Sequence, residues 1–187
     1  MQARASVPKS PLLLRSGTEL ASMIRRREVS SREVVEAHIA QIGRANPVVN
    51  AVVHDRFADA RAEADRADAA LAATDPDALP PFHGVPCSIK ESFAFAGLPQ
   101  TGGLWARRHH IANADATTVA RLRLAGAIPL GITNVSELCM WMETNNTIYG
   151  RTKNPYDPAR IVGGSSGGEG AIIGAGGSPF GLGADIG

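Results

Sequence analysis

Apolar residues recur at helical spacing in the first third of the chain, behind two local signals for helix starts. Ser16 and Ser30 are each followed three residues later by a glutamate. This is the pattern of a capping box, in which the hydroxyl and the carboxylate each bind a main-chain N–H. The first box predicts a short helix through Leu20 and Ile24. The second predicts a longer amphipathic helix that ends before residues 46–47 (Asn-Pro), since the residue before a proline disfavours the helical region.

Three short apolar runs further along the chain predict buried strands, at residues 51–53, 85–89 and 128–132. An alanine-rich, charged helix is predicted over 55–73, with its charges on a solvated face. A second helix is predicted over 115–126, capped by the aspartate at its start and ended by the glycine. Helices that alternate with strands indicate an α/β fold with a mixed or largely parallel sheet covered by helices.

Composition narrows the class of protein. The 187 residues suffice for one domain, and because no linker divides them we predict a single domain over 1–187. The net charge of +1 and the 44% hydrophobic content indicate a globular protein without a nucleic-acid-binding face. No segment approaches the roughly 20 apolar residues of a membrane span. Cys87 and Cys139 have no metal-site or redox spacing, so we expect free thiols, no metal site and a cytoplasmic protein. His38 lies on an apolar helix face, and we expect it to be packed or half-exposed rather than a ligand.

Glycine is concentrated at the end of the chain, where 11 of the 20 glycines lie between Gly163 and Gly187. Such a segment predicts tight turns or close approach of the main chain to a ligand, and it carries the adjacent hydroxyls of Ser165 and Ser166. A phosphate-binding loop would need a Gly-Lys-Ser/Thr sequence, which is absent. The nucleophile elbow G-x-S-x-G is matched only by letter, without a long strand before it. A purely structural loop accounts for the glycines but not for the paired serines or for their ordered spacing from Lys90.

Ordered motifs along nearly the whole chain resemble those of one enzyme family. Residues 163–170 (GGSSGGEG) and 183–187 (GADIG) are similar to the opening and the middle of the amidase signature. Upstream, residues 84–91 (GVPCSIKE) resemble the segment that carries the catalytic lysine of that family. Residues 134–138 (NVSEL) and 149–157 (YGRTKNPYD) match two further stretches. The resemblance implies an amidase-signature fold that is truncated at its C-terminal side.

The resemblance also implies a Ser-Ser-Lys triad. It assigns Lys90 as the base and Ser165, which follows a cis peptide in the family, as the serine that bridges the lysine to the nucleophile. The nucleophilic serine itself is expected just beyond residue 187. A serine hydroxyl is a weak nucleophile until a base takes its proton, and a lysine can do so only when its amine is neutral. The apolar neighbours Val85, Ile89 and Phe93 suit such a lysine.

Four further residues are assigned to the site by position. The main-chain N–H groups of Ile186 and Gly187 are expected to begin the oxyanion hole, where fixed donors stabilise the developing charge. Cys139 lies where family members have a residue that contacts the substrate or the hole, and buried packing is an equal alternative. Ser166 is a substrate-binding candidate with a structural alternative, namely local hydrogen bonding. Asp185 is expected to hold the loop in shape.

The function implied is that of an amidase which forms an acyl-enzyme on a small-molecule amide and needs no cofactor. Residues 169–170 (Glu-Gly) resemble the fatty-acid-amide-hydrolase branch and favour an apolar acyl amide. Two alternatives stay open: the glutaminase subunit of a tRNA amidotransferase, and a non-catalytic fragment. We expect the 187-residue chain alone to be inactive and poorly soluble, with assembly into a homo-oligomer left open.

Overall fold

The computed structural model describes residues 10–185, in which helices alternate with short strands. Five α-helices lie in that range: α1 (Gly17–Arg25), α2 (Ser31–Val49), α3 (Phe57–Ala73), α4 (Thr117–Leu124) and α5 (Gly167–Gly174). The strands are β1 (Val52–Asp55), β2 (Pro86–Lys90), β3 (Ile128–Thr133), β4 (Asn145–Asn146), β5 (Gly150–Arg151) and β6 (Gly181–Leu182). Short 3₁₀ helices cover Pro11–Leu14, Pro76–Ala78, Trp105–Arg107 and Glu137–Cys139.

Four of these strands form one mixed sheet in the order β1-β3-β2-β6. β1 is antiparallel to β3, whereas β2 is parallel to both β3 and β6. The central strands β2 and β3 are buried along their whole length, and their register pairs Lys90 with Thr133 at their carboxyl ends. β4 and β5 form a separate antiparallel pair. The predicted α/β fold with a mixed sheet is therefore confirmed.

Both predicted capping boxes are present. The Ser16 hydroxyl accepts a hydrogen bond from the N–H of Glu19, whose carboxylate accepts one from the N–H of Ser16. Ser30 and Glu33 repeat this arrangement at the start of α2. Because each box uses groups only three residues apart, these two helix starts could be predicted from the sequence alone.

The predicted end of α2 is wrong, because the helix continues through Pro47 to Val49. Its last turn is tied to the following strand by Asn46, whose side chain accepts hydrogen bonds from the N–H groups of Ala51 and Val52 and donates to the carbonyl of Val52. Val49 is fully buried. These contacts stabilise the last turn by more than the proline disfavours it, and the helix ends at Asn50 in the left-handed conformation.

Asp115 does not cap α4 as predicted. Residue Ala116 occupies the capping position and offers no side-chain hydrogen bond. The carboxylate of Asp115 instead accepts a hydrogen bond from the N–H of Ala96 at 2.8 Å and pairs with Arg123 at 2.6 Å. The tertiary contact to the loop at Ala96 has displaced the local capping interaction.

Helix α5 lies inside the glycine-rich segment, where the sequence predicted tight turns or close approach of the main chain to a ligand and no helix. Turns do flank it, since Gly163 and Gly176 have φ angles of 91° and 73°. Within the helix, Gly168 lies so close to the main chain of Asn134 that a Cβ atom would overlap it. Glycine disfavours helix formation in isolation, so this helix depends on its packing against the end of β3.

The sheet is packed between two apolar clusters. One joins α2, α3 and α5 to β1 and β3, with Ile39, Ala60 and Leu130 among its buried members. Another joins α4 to β2 and β3 through Val119 and Ile89. Among the helices described between residues 10 and 185, none combines the length and the apolar content that a bilayer crossing requires.

Candidate active site

Lys90 and Ser165, predicted as partners from the sequence, meet at the carboxyl end of β2. Lys90 is the last residue of this strand and is fully buried. Its Nζ lies 2.6 Å from the Ser165 Oγ and 3.4 Å from the Ala184 carbonyl oxygen. The peptide bond between Gly164 and Ser165 is cis. An amine and a hydroxyl that are 75 residues apart in the chain are thus within proton-transfer distance.

The loop before α5 lies directly against the segment that follows β3. A Cβ atom at Gly164 would overlap the main chain of Trp141 and Met142, so glycine is required there for close approach. Leu138 and Cys139 both have left-handed backbone angles, with φ of 51° and 60°. Such angles are unfavourable for these side chains and persist only where surrounding contacts enforce them.

A cleft of about 320 Å³ opens beside Ser165. Its lining includes Cys139, Gly164 and Asp185 together with the run Met140, Trp141 and Met142. The three side chains of that run are among the most exposed large apolar groups of the described residues, with Trp141 63% exposed. Cys139 therefore lies at the cleft and is only partly buried.

Ser166 holds the main chain that leads to the end of the described region. Its Oγ donates to the carbonyl of Ala184 and accepts from the N–H of the same residue, both at 3.1 Å. The hydroxyl is therefore engaged in local hydrogen bonding, which is the structural alternative to its predicted role in substrate binding. Ile186 and Gly187, the predicted start of the oxyanion hole, lie outside the described residues.

Sequence reasoning missed a buried carboxyl beside this pair. Glu169, on α5, is 4% exposed, and it accepts hydrogen bonds of 2.6 Å from the hydroxyls of Ser88 and Thr133. Burial raises the pKa of Glu169 to about 7, while the two hydroxyls and the charge of Lys90 act in the opposite direction. The only signal for this carboxyl in the sequence is an acidic residue among glycines, and that pattern by itself indicates a branch of the family rather than a buried group.

A second buried carboxylate, that of Glu91, accepts hydrogen bonds from the loop that contains Thr101 and Gly102. It accepts hydrogen bonds from the N–H and the hydroxyl of Thr101, from the N–H of Gly102 and from the phenol of Tyr149. The carbonyl of Gly102 in turn accepts a hydrogen bond from the N–H of Leu138 at 2.7 Å. The residue after Lys90 therefore supports, through one loop, the strained segment that lines the cleft.

Helix α2 carries a buried histidine. His38 is buried, and its Nδ1 lies 2.9 Å from the carbonyl oxygen of Val34, as expected for a packed residue. Burial lowers the pKa of His38. Within the part of the chain that the structure describes, no three His, Cys, Asp or Glu side chains are grouped closely enough to hold a metal ion.

Comparisons with known proteins match this chain to amidases over most of its length. A family model described as "Amidase" matches residues 33–187. Fatty-acid amide hydrolase 2-B of Danio rerio is 55% identical over 95% of this chain and 35% of its own length. A glutamyl-tRNA(Gln) amidotransferase subunit of Acidothermus cellulolyticus is 41% identical over 95% of this chain and 35% of its own length.

The solved structures agree with the sequence matches. A fatty acid amide hydrolase structure superimposes with a TM-score of 0.89 and 31% identity, over 95% of this chain and 32% of that one. The chain thus spans about a third of the length of the relatives it matches.

Proposed function

Because this chain belongs to the amidase family, we propose that the complete protein hydrolyses a carboxylic-acid amide through an acyl-enzyme, with Lys90 as the base and Ser165 as the bridging serine. The observation that carries the proposal is the contact of 2.6 Å between the buried Lys90 Nζ and the Ser165 Oγ. The cleft that opens beside Ser165 gives an amide access to this pair.

In the proposed reaction a serine beyond residue 187 attacks the carbonyl carbon of the amide. As its oxygen forms the new bond to carbon, its proton passes to Ser165, and Ser165 passes its own proton to the neutral amine of Lys90. The resulting ammonium returns a proton through Ser165 to the leaving nitrogen when the C–N bond breaks. Water then hydrolyses the acyl-enzyme by the same route, and ammonia or an amine and a carboxylic acid are released.

The main-chain N–H groups of Ile186 and Gly187 complete the proposal as donors to the carbonyl oxygen. Main-chain donors suit this task because their position is set before the negative charge develops. Ser166 supports this assignment, since its two hydrogen bonds to Ala184 hold the chain two residues before Ile186. Asp185 lines the cleft at this point.

The proposed substrate class is an amide with an apolar acyl group. Apolar surface lies beside Ser165 and is formed by Met140, Trp141 and Met142. The acyl chain of a bound amide would extend from its carbonyl group along this surface. The identity of 55% to a fatty-acid amide hydrolase, against 41% to an amidotransferase subunit, favours the same class. Glutamine, the substrate of the alternative glutaminase function, is polar and would gain little from this surface.

The cellular setting forms part of the proposal as well. Cys87 and Cys139 are both free, and burial raises the pKa of the Cys87 thiol above its ordinary value, which makes this thiol unreactive. Free thiols suit the reducing cytoplasm, which we propose as the location.

The test uses the complete protein and a serine-directed fluorophosphonate. Lys90→Ala and Ser165→Ala should each slow labelling by several orders of magnitude, because each removes a step of proton transfer. Lys153→Ala is the matched control, since the Lys153 side chain is exposed, and it should label like the wild type. Labelling of Lys90→Ala at the wild-type rate would contradict the proposed base.

The same protein distinguishes the two substrate classes. We expect release of ammonia from a long-chain fatty-acid amide and none from free glutamine. The opposite result would favour the glutaminase function.

A further inference from the structure

Glu169 is a buried carboxyl that the proposed reaction does not use. It lies in the first turn of α5, four residues after Ser165, and it reaches back to the sheet. Ser88 Oγ donates to one of its oxygens and Thr133 Oγ1 to the other, each at 2.6 Å. Both donors are themselves buried. A carboxyl removed from water in this way is costly unless its charge interacts with a partner.

The two hydroxyl donors to Glu169 lie beside Lys90, one on its own strand β2 and the other on the neighbouring strand β3. Ser88 precedes Lys90 by two residues on β2, and residues at that spacing share a face of a strand. Thr133 is the cross-strand partner of Lys90 on β3. The carboxyl therefore spans the two strands beside Lys90, and it is carried on the helix that begins next to Ser165.

Strand β6 covers the Glu169 carboxyl on the side away from β3. A Cβ atom at Gly181 would overlap the Glu169 carboxyl and the Ser88 hydroxyl, so the glycine lets this strand lie against them. Strands β3 and β6 carry no titratable side chain. On β2, Lys90 is the titratable group whose charge acts on Glu169. Burial and then the charge of Glu169 raise the pKa of the Cys87 thiol on the same strand, so this thiol is neutral.

We propose that Glu169 is a positioning residue for the base, and that its charge sets the pH at which Lys90 can accept the proton of Ser165. An ionised Glu169 stabilises the ammonium form of Lys90, and a neutral Glu169 does not. This inference rests on the proposed function of Lys90. The pKa of Glu169, raised to about 7 by burial, makes the change of charge available near neutral pH.

The consequence is a defined change in the pH profile. With Gln at position 169 the amine lacks a negative neighbour, so the neutral, competent form of Lys90 persists to lower pH. Because a nearby negative charge favours the ammonium form, its loss lowers the pH at which the amine accepts the proton. The plateau rate should also fall, because a less basic amine is a weaker proton acceptor.

The experiment measures fluorophosphonate labelling of the complete protein between pH 5.5 and 10. The variants are Glu169→Gln, Thr133→Val, which removes one hydroxyl donor from the carboxylate, and Glu28→Gln, an exposed charge as control. We expect the half-plateau pH to fall in Glu169→Gln relative to the wild type. It should fall less in Thr133→Val, because the weakened carboxylate is ionised to a smaller extent. Glu28→Gln should superimpose on the wild type.

The outcomes separate this inference from the proposed function. A folded Glu169→Gln with a lower plateau but an unshifted half-plateau pH would show a merely structural role and overturn the inference. If Glu169→Gln fails to fold, an unshifted Thr133→Val overturns it instead. Wild-type labelling that does not depend on Lys90 would overturn the function of the lysine, and this inference with it, whatever Glu169 does.

Discussion

At the scale of single residues, burial and hydrogen bonding act in opposite directions on the pKa of Glu169. Burial disfavours its charged form, and hydrogen bonds from Ser88 and Thr133 favour it. Burial is the larger effect, so the pKa of Glu169 is about 7 in the folded protein, above its ordinary value of 4.5. A group whose pKa is raised by folding binds more protons in the native state than in the unfolded state between those two values.

The stability of the protein should therefore depend on pH through this residue. Below pH 4.5 the carboxyl is neutral in both states, and the contribution of Glu169 to the unfolding free energy is fully present. It is lost as the pH rises through about 7, by an amount on the order of 3 kcal/mol. Gln can exchange hydrogen bonds with the same hydroxyls without ionising, so Glu169→Gln should gain stability relative to the wild type between pH 5 and pH 8.

Urea denaturation of the complete protein at these two pH values checks this prediction. Glu28→Gln is the control, because the pKa of the exposed Glu28 is lowered by its hydrogen bond to Arg26 and Glu28 is ionised throughout this range. A difference between Glu169→Gln and the wild type that is the same at both pH values would contradict the prediction.

At the scale of secondary structure elements, α5 couples the glycine-rich segment to the site. The helix begins at Gly167, directly after the two serines, so its position against the sheet determines where Ser165 lies. Gly168 packs against the main chain of Asn134, whereas Gly170 has open space where a Cβ would be. The packing of α5 therefore requires glycine at position 168 but not at position 170.

This contrast gives a matched pair of variants. Gly168→Ala should destabilise the protein by about 1–3 kcal/mol, because the new methyl group overlaps main-chain atoms that cannot move aside. Gly170→Ala should stabilise it by about 1 kcal/mol, since alanine favours a helix over glycine. Urea denaturation of both variants measures the difference, and fluorophosphonate labelling should fall only in Gly168→Ala. Equal unfolding free energies for the two variants would contradict this account of α5.

At the scale of the whole molecule, the cleft face and the β6 edge of the main sheet have no partner among the described residues. β6 ends the strand order, with β2 on its paired side. Met140, Trp141 and Met142 are exposed beside the cleft. The complete protein is proposed to supply the nucleophile, and the relatives are about three times as long as this chain.

Residues 1–187 expressed alone should therefore lack serine-dependent amidase activity and be poorly soluble. Loss of a nucleophile removes several orders of magnitude in rate, and an unpaired strand edge together with exposed apolar side chains promotes association. Amide hydrolysis and thermal unfolding of this segment test both points. Robust turnover abolished by Ser165→Ala, or a sharp reversible thermal transition, would contradict them.

The features that could be predicted from the sequence depend on neighbours within a few residues, or on long motifs. The capping boxes at Ser16 and Ser30 belong to the first kind. The family belongs to the second, since the motif around Lys90 and the glycine-rich motif indicate it, and the family match confirms it. Local hydrogen bonds and ordered motifs are both written in consecutive residues, which is why the sequence alone predicts them.

Other features depend on contacts between residues that are far apart in the chain, and only the tertiary structure decided these. The last turn of α2 is held by residues about a hundred positions later, since the N–H of Lys153 donates to the carbonyl of Val49 and the Asn50 side chain donates to the carbonyl of Tyr149. Helix α5 forms from glycines because the end of β3 supports it. The partners of Glu169 lie 81 and 36 residues away, so its raised pKa follows from burial that no local pattern encodes. Motifs in the sequence determined which residues carry the proposed chemistry. The fold determined their distances, their burial and the carboxyl that accompanies them, because these depend on packing between segments far apart in the chain.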